Sequence, residues 1–118
     1  MAAAGAALAA EVAEAVRLTV EHGFGQNHCL CHGDLGNLDF LASAERQLGG
    51  DAALGRQVRR RTRQVLASIG RDGWCCGTRG AVESPGLMNG IAGIGYGLLR
   101  LAEPGRVPSV LALAPPAL

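Results

Sequence analysis

Lysine is absent from the 118 residues of this chain, and eleven arginines carry all of its positive side-chain charge. Ten acidic residues leave a formal net charge of +1. This balance gives no long-range attraction to nucleic acid or to an anionic membrane, so we expect neither as a partner. The longest basic run, 59–61 with Arg63, lies among apolar residues at helical spacing and predicts a solvated helix face. A nucleic-acid patch is the alternative, but no aromatic residues are interleaved with these arginines.

Aromatic residues are also scarce, at 3% of the chain, whereas alanine and glycine together make up nearly a third. Small side chains let backbones approach closely, but they bury little area per residue. A free-standing domain of this length buries roughly two thirds of its unfolded surface. With so few large side chains, we predict that the chain is a piece of a larger body.

Long apolar runs are missing as well. The alanine-rich start has no positively charged region and is interrupted by Glu11 and Glu14, so it predicts a helix and not a signal peptide. The most apolar window, 87–99, is too short to span a bilayer. We therefore expect a cytoplasmic protein, in which four cysteines indicate metal binding or reduced thiols before disulfides.

Apolar residues recur at helical spacing in four segments, which predicts an all-α fold. The first helix covers 6–21 and the second runs from Leu35 to Leu48. The third is capped by Asp51 and runs to about Ile69. The fourth covers 87–102 and is apolar on all sides. The apolar positions are Leu8, Val12, Ala15, Val16 and Val20 in the first helix and Leu54, Val58, Val65 and Ile69 in the third.

The two halves of the chain form an internal repeat. The segments 33–41 and 90–98 align position by position, with Gly33 matching Gly90, and each opens a helix with a G-x-x-G turn after a cysteine-bearing loop. We predict two helical hairpins, at about 6–49 and 51–102, with a tail at 103–118. Each pairs an amphipathic outer helix with a buried inner helix, as in a segment of an α/α barrel or toroid. A dinucleotide-binding loop at 90–97 is the alternative, but no strand precedes it.

The sharpest chemical feature is the adjacent pair Cys31 and His32, followed by Gly33. Thiolate and imidazole are preferred zinc ligands, and an irregular turn allows neighbouring residues to reach one ion. Zinc needs at least three protein ligands. Cys29 is a candidate third ligand by proximity, and Cys75 and Cys76 are candidates by their place in the matching loop.

A structural interpretation of the same residues stays open. Cysteine is often a small buried apolar residue, and one Cys-His pair lacks the paired C-x-x-C pattern of structural zinc sites. Asp34 is expected to act as a helix N-terminal acid, and His28 to contact the loop. The sequence contains no HExxH, P-loop, nucleophile elbow or paired-carboxylate motif that would indicate another enzyme class.

Two long motifs resemble a known family. They are His28-Cys-Leu-Cys-His-Gly-Asp-Leu-Gly-Asn37 and Pro85-Gly-Leu-Met-Asn-Gly-Ile-Ala-Gly-Ile-Gly-Tyr-Gly-Leu-Leu-Arg-Leu101. Both look like the C-terminal end of the lanthionine synthetase C-like cyclases, in particular the cyclase domain of the type II lanthipeptide synthetases. The segment 107–111 also looks like the family's end. The resemblance covers nearly all of the chain after about residue 20.

The resemblance implies an α/α toroid that closes thioether rings in ribosomally made precursor peptides. In the family, a substrate cysteine adds to a dehydroalanine or dehydrobutyrine, and a zinc ion held by two cysteines and one histidine binds the substrate thiolate. The family's adjacent Cys-His pair falls on Cys31 and His32, which are therefore the expected Zn²⁺ ligands in this chain.

The chain also departs from the family pattern. The family's first zinc cysteine and its acid/base residues lie upstream of the stretch matched here. Trp74-Cys75-Cys76-Gly77 resembles the upstream W-C-x-G turn but follows the Cys-His pair. We therefore expect the last two hairpins of a cyclase, inactive alone. The alternatives are a helical assembly module that joins the remainder of a toroid or self-associates, and a structural zinc domain using Cys29, Cys31, His32 and one of Cys75 or Cys76.

Overall fold

The computed structural model describes residues 2–116, and this part of the chain folds into four α-helices without a strand. The helices are α1 (Ala2–His22), α2 (Asp34–Gln47), α3 (Ala52–Asp72) and α4 (Ile91–Ala102), and a short 3₁₀ turn occupies Arg79–Ala81. The all-α prediction is confirmed, and the arrangement is consistent with a segment of a helical toroid. No helix in the described part is long and apolar enough to cross a membrane.

Helix α2 is the centre of the structure, because it packs against each of the other three helices and most extensively against α3. Its side chains Leu35, Leu38 and Leu41 are almost completely buried. They belong to two core clusters. One contains Leu30, Leu35, Leu38, Val65, Cys76 and Ile94, and the other contains Leu41, Ala44 and Leu54.

The predicted internal repeat is present in the backbone. We call Asn27–Gly36 the first turn and Ser84–Gly93 the second turn. Gly33 and Gly90 precede their helices with nearly the same backbone angles, φ −119° and ψ −173° against φ −125° and ψ −167°. The N–H of the next residue donates to Asn27 O at 2.8 Å in the first turn and to Ser84 O at 2.7 Å in the second.

The second glycine of each G-x-x-G sequence is required by a close backbone approach. A Cβ atom at Gly36 would lie 2.0 Å from the carbonyl oxygen of Leu30, and one at Gly93 would lie 1.7 Å from that of Leu87. Leu30 and Leu87 are themselves equivalent positions of the repeat. The backbone of each turn therefore folds back over the N-terminal residues of the helix that follows it.

Several predicted helix ends move in the structure. Helix α4 begins at Ile91 and not at Leu87, because residues 87–90 belong to the second turn. Helix α3 continues to Asp72 and is followed by Gly73, whose φ of +80° ends it. Asp51 caps α3 as predicted, accepting the N–H of Ala53 at 2.8 Å. The division into hairpins 6–49 and 51–102 stays a prediction.

Fewer side chains of α1 and α4 are buried than the sequence predicted. No residue of α1 is buried, and Leu8 is 62% exposed, because α1 packs against the core only through Val16 and Val20 near its end. In α4 only Gly93, Ile94 and Gly97 are buried, and Leu99 is 60% exposed.

Arg61 departs from the predicted solvated face of α3. Its guanidinium carbon lies 5.0 Å above the ring of Phe24, and the side chain donates to the carbonyl oxygen of Val20. A cation over an aromatic face is attracted by the ring quadrupole. Arg59, Arg60 and Arg63 are exposed as expected.

The C-terminal tail is fastened to α2 and α4 by a buried network. Arg100 Nε donates to Asp39 Oδ1 at 2.5 Å, and Ser109 Oγ donates to Asp39 Oδ2 at 2.5 Å. The hydroxyl of Tyr96 donates to the carbonyl oxygen of Pro108. Asp39 and Tyr96 occupy equivalent positions in the two copies of the repeat, and both form hydrogen bonds to the C-terminal tail.

Candidate functional site: a Cys-His turn

The first turn lies against the loop between α3 and α4 and is tied to it by hydrogen bonds. His28 N donates to Cys75 O at 2.8 Å, and Cys75 N donates to His28 Nδ1 at 2.8 Å. Cys31 N donates to Met88 O at 2.8 Å. Within the loop itself, Gly77 N donates to Asn89 O at 2.9 Å. The two turns of the repeat therefore lie side by side, and their tips are fixed relative to one another.

His28 is buried and joins the two loops. Because its Nδ1 accepts a backbone N–H, the neutral ring carries its proton on Nε2, which lies 3.2 Å from Ser68 Oγ on α3. The sequence supplied no partner for His28, since Ser68 and Cys75 are 40 and 47 positions away.

Cys31 and His32 occupy the exposed tip of the first turn, directly before the start of α2. A thiol and an imidazole that are both open to solvent at one turn suit a zinc ion, so these two residues fit the donor set that the resemblance implies.

Cys29 lies beneath the tip and contacts the histidine. Its Sγ is 3.8 Å from His32 Nδ1, and the residue is fully buried. A Cβ atom on Gly77 would lie 2.4 Å from this sulfur, so the absence of a side chain at Gly77 leaves the space that Cys29 fills. Because His32 Nδ1 faces this sulfur, the other ring nitrogen, Nε2, is the one that would reach a ligand.

The remaining cysteines do not join this pair. Cys76 is buried in the core cluster, and the Sγ of Cys75 lies 3.9 Å from Gln26 O. Within residues 2–116, no three His, Cys, Asp or Glu side chains are placed to hold one metal ion. The four-donor structural zinc site considered from the sequence is therefore not assembled in the described part of the chain.

Asp34 begins α2 and is buried, as expected for an acid in the first helical turn. Its Oδ1 accepts the N–H of Gly25 at 2.9 Å, so it fixes the segment that leads into the first turn. Burial raises the pKa of Asp34 above its ordinary value, and the Gly25 hydrogen bond opposes part of that rise.

Comparison with known proteins agrees with the motifs. The family model described as lanthionine synthetase C-like protein matches residues 6–112. The lacticin 481/lactococcin biosynthesis protein LcnDR2 of Lactococcus lactis subsp. lactis is 35% identical over 92 residues, which cover 76% of this chain. The matched stretch spans about a tenth of the length of that relative. No solved structure matches the chain. The match over 6–112 shows that this chain belongs to the lanthionine synthetase C-like family, whose members generally bind zinc.

Proposed function

We propose that this chain forms part of a zinc-dependent lanthipeptide cyclase, in which Cys31 and His32 supply two of the zinc ligands. The observation that carries the proposal is the exposed Cys-His pair at the tip of a hydrogen-bonded turn, in a chain that belongs to the cyclase family. A family relative named for lacticin 481 biosynthesis favours a ribosomally made precursor peptide as the substrate. Such a substrate fits the cytoplasmic location expected from the sequence.

The proposed reaction is the addition of a peptide cysteine thiol to a dehydroalanine or dehydrobutyrine. The thiol loses its proton, and the sulfur bonds to the β-carbon. The carbon–carbon double bond becomes single, and a proton is delivered to the α-carbon. Zinc, when bound, lowers the pKa of a ligating thiol and so provides a thiolate near neutral pH.

The residues of this chain have binding and positioning roles in the proposal. Cys31 and His32 would hold the ion, and the hydrogen bond from Cys31 N to Met88 O fixes the backbone at this pair. Cys29 orients the His32 ring through its 3.8 Å contact with Nδ1. A third ligand and the acid/base groups come, in this proposal, from other parts of a complete cyclase.

Exposed apolar side chains support assembly with further helices, which is the second function that we propose. Leu8 of α1 is 62% exposed and Leu99 of α4 is 60% exposed, and these are the first and last helices of the chain. A neighbouring hairpin of a toroid would cover such faces, as repeat proteins bury their inner helices only against neighbours. The partner is the remainder of the ring or a second copy of the chain.

Ring closure on a dehydrated precursor peptide tests the proposal. The 118-residue chain is assayed alone and together with a family cyclase truncated before its own Cys-His turn, and loss of the free peptide thiol is followed. We expect turnover only from the mixture, and loss of that turnover with Cys31→Ala. Robust turnover by the chain alone would overturn the claim that it needs the rest of the ring. Turnover of the mixture that persists with Cys31→Ala would remove the assigned ligand.

A further inference from the structure

A row of four arginines runs along the solvent side of α3. This arginine stripe consists of Arg56, Arg59, Arg60 and Arg63. Positions that follow the pattern i, i+3, i+4, i+7 lie on one face of a helix. All four side chains are exposed, whereas the buried Leu54 and Val65 face the core.

The stripe lacks an ion-pair partner within residues 2–116, as do Arg46, Arg61, Arg79 and Arg106, but only the stripe places four such arginines on one exposed helix face. Arg17 and Arg71 each lie 2.7 Å from a carboxylate, and Arg100 lies 2.5 Å from one. None of the ion pairs formed in that part of the chain involves a member of the stripe. Like charges three or four positions apart destabilise a helix. A partner that brings carboxylates to this face relieves the repulsion and forms charge-assisted hydrogen bonds.

We propose that the arginine stripe docks an acidic peptide segment in helical form, with carboxylates at the same i, i+3, i+4, i+7 spacing. The stripe spans about 10 Å along the helix axis, which is about two turns of a partner helix. The same face continues beyond Arg63 as the exposed, uncharged residues Leu66, Ala67 and Gly70. A Cβ atom at Gly70 would meet nothing within 4 Å, so the continuation is open to a packed helix.

A peptide fits this surface better than a nucleic acid does. Tight binding to a duplex needs many cationic contacts along the phosphate backbone. Four arginines within two helical turns offer few of them, and the net charge of +1 supplies no wider positive field. The inference goes beyond the cyclase proposal, because it uses neither Cys31 nor His32.

Fluorescence anisotropy with defined peptides tests the docking. One labelled helical peptide carries glutamates at the matching spacing, and a second has the same composition with the glutamates spread around the helix. The full 118-residue chain is compared with the double variant Arg59→Gln/Arg60→Gln. The matched control is Arg79→Gln/Arg106→Gln, which removes two exposed arginines outside the stripe and lowers the net charge equally.

We expect the matching peptide to bind more tightly than the spread one, and to bind less at about 0.5 M salt than at about 0.05 M. The stripe variant should weaken binding about three- to tenfold, and the control less than about twofold. Circular dichroism should show both variants folded, since glutamine is a good helix former. Equal weakening by both variants, equal affinity for both peptides, or tighter stripe-dependent binding of a DNA duplex or an anionic vesicle would overturn the proposal.

Discussion

The two turns of the repeat share a backbone and differ in their chemistry. In the first turn Asn27 Oδ1 accepts the N–H two residues on at 3.0 Å, and in the second turn Ser84 Oγ accepts the corresponding N–H at 3.2 Å. At the exposed tips, however, Cys31 and His32 of the first turn correspond to Met88 and Asn89 of the second.

This difference separates what builds the turn from what the turn presents. The G-x-x-G glycines and the capping side chain set the backbone in both copies. The metal-ligand residue types occur at one tip only, and so does the buried Cys29 that contacts His32, since the second turn has Gly86 at that place. The fold is therefore repeated, and we place the proposed metal chemistry in one copy.

The largest effects are expected from the two close-packed glycines. Gly36→Ala and Gly93→Ala each drive a Cβ atom into a backbone carbonyl oxygen, at 2.0 Å and 1.7 Å. Each should lower the free energy of unfolding by about 3 kcal/mol or more, because backbone atoms cannot rotate away. Gly95→Ala is the control, since nothing lies within 4 Å of a Cβ there, and it should stabilise α4 by up to about 1 kcal/mol. Urea unfolding measures the free energy of unfolding of all three variants. If Gly93→Ala left it unchanged while Gly36→Ala lowered it, the two turns would not be equivalent.

The next largest effect is expected from Asp39 and its repeat equivalent Tyr96. Asp39→Ala leaves the mostly buried guanidinium of Arg100 without its carboxylate and should cost about 3 kcal/mol. Tyr96→Phe removes one neutral hydrogen bond to Pro108 and should cost about 1 kcal/mol. Thermal unfolding, combined with the rate of tryptic cleavage at the exposed Arg106, measures both. Unchanged cleavage in Asp39→Ala would show that this residue does not hold the tail.

A smaller effect, on metal affinity, is expected from Cys29. Cys29→Ala removes the sulfur that contacts His32 Nδ1 and should weaken Co²⁺ or Zn²⁺ binding by the mixture with the truncated cyclase about tenfold without abolishing it. Cys76→Ala is the matched control, because it also removes a buried sulfur, but one that lies in the core cluster. Complete loss of metal binding in Cys29→Ala would indicate that Cys29 is itself a ligand. Unchanged metal affinity would show that Cys29 is not needed to orient the His32 ring.

Much of the fold was predictable because it depends on local chemistry. Helical spacing indicated the four helices, Asp51 a cap, and the aligned glycine pairs the internal repeat. The start of α4 was predicted wrongly, because the apolar residues 87–90 continue the helical pattern although Gly90 is extended. The exposure of Leu8 was missed because spacing shows which face is apolar and not whether anything covers it.

The candidate site was predictable only in its residue types. Adjacent Cys31 and His32 were visible in the sequence, and their exposure follows from the turn. The contacts of His28 with Ser68 and of Asp39 with Ser109 join residues 40 and 70 positions apart. Pairings at such separations depend on how the helices pack, which spacing alone does not encode.

A Co²⁺ titration of the 118-residue chain mixed with the truncated family cyclase, which would supply the third ligand, tests the central claim most directly, because a thiolate ligand gives a sulfur-to-cobalt charge-transfer absorption. Above the signal of the truncated cyclase alone, we predict this absorption for the mixture with the unmodified chain, its loss with Cys31→Ala/His32→Ala, and its retention with Met88→Ala/Asn89→Ala. The second double variant changes the equivalent tip of the other turn and so controls for a general disturbance. An absorption that survives in Cys31→Ala/His32→Ala, or that disappears equally in both variants, would contradict the assignment of metal binding to the first turn.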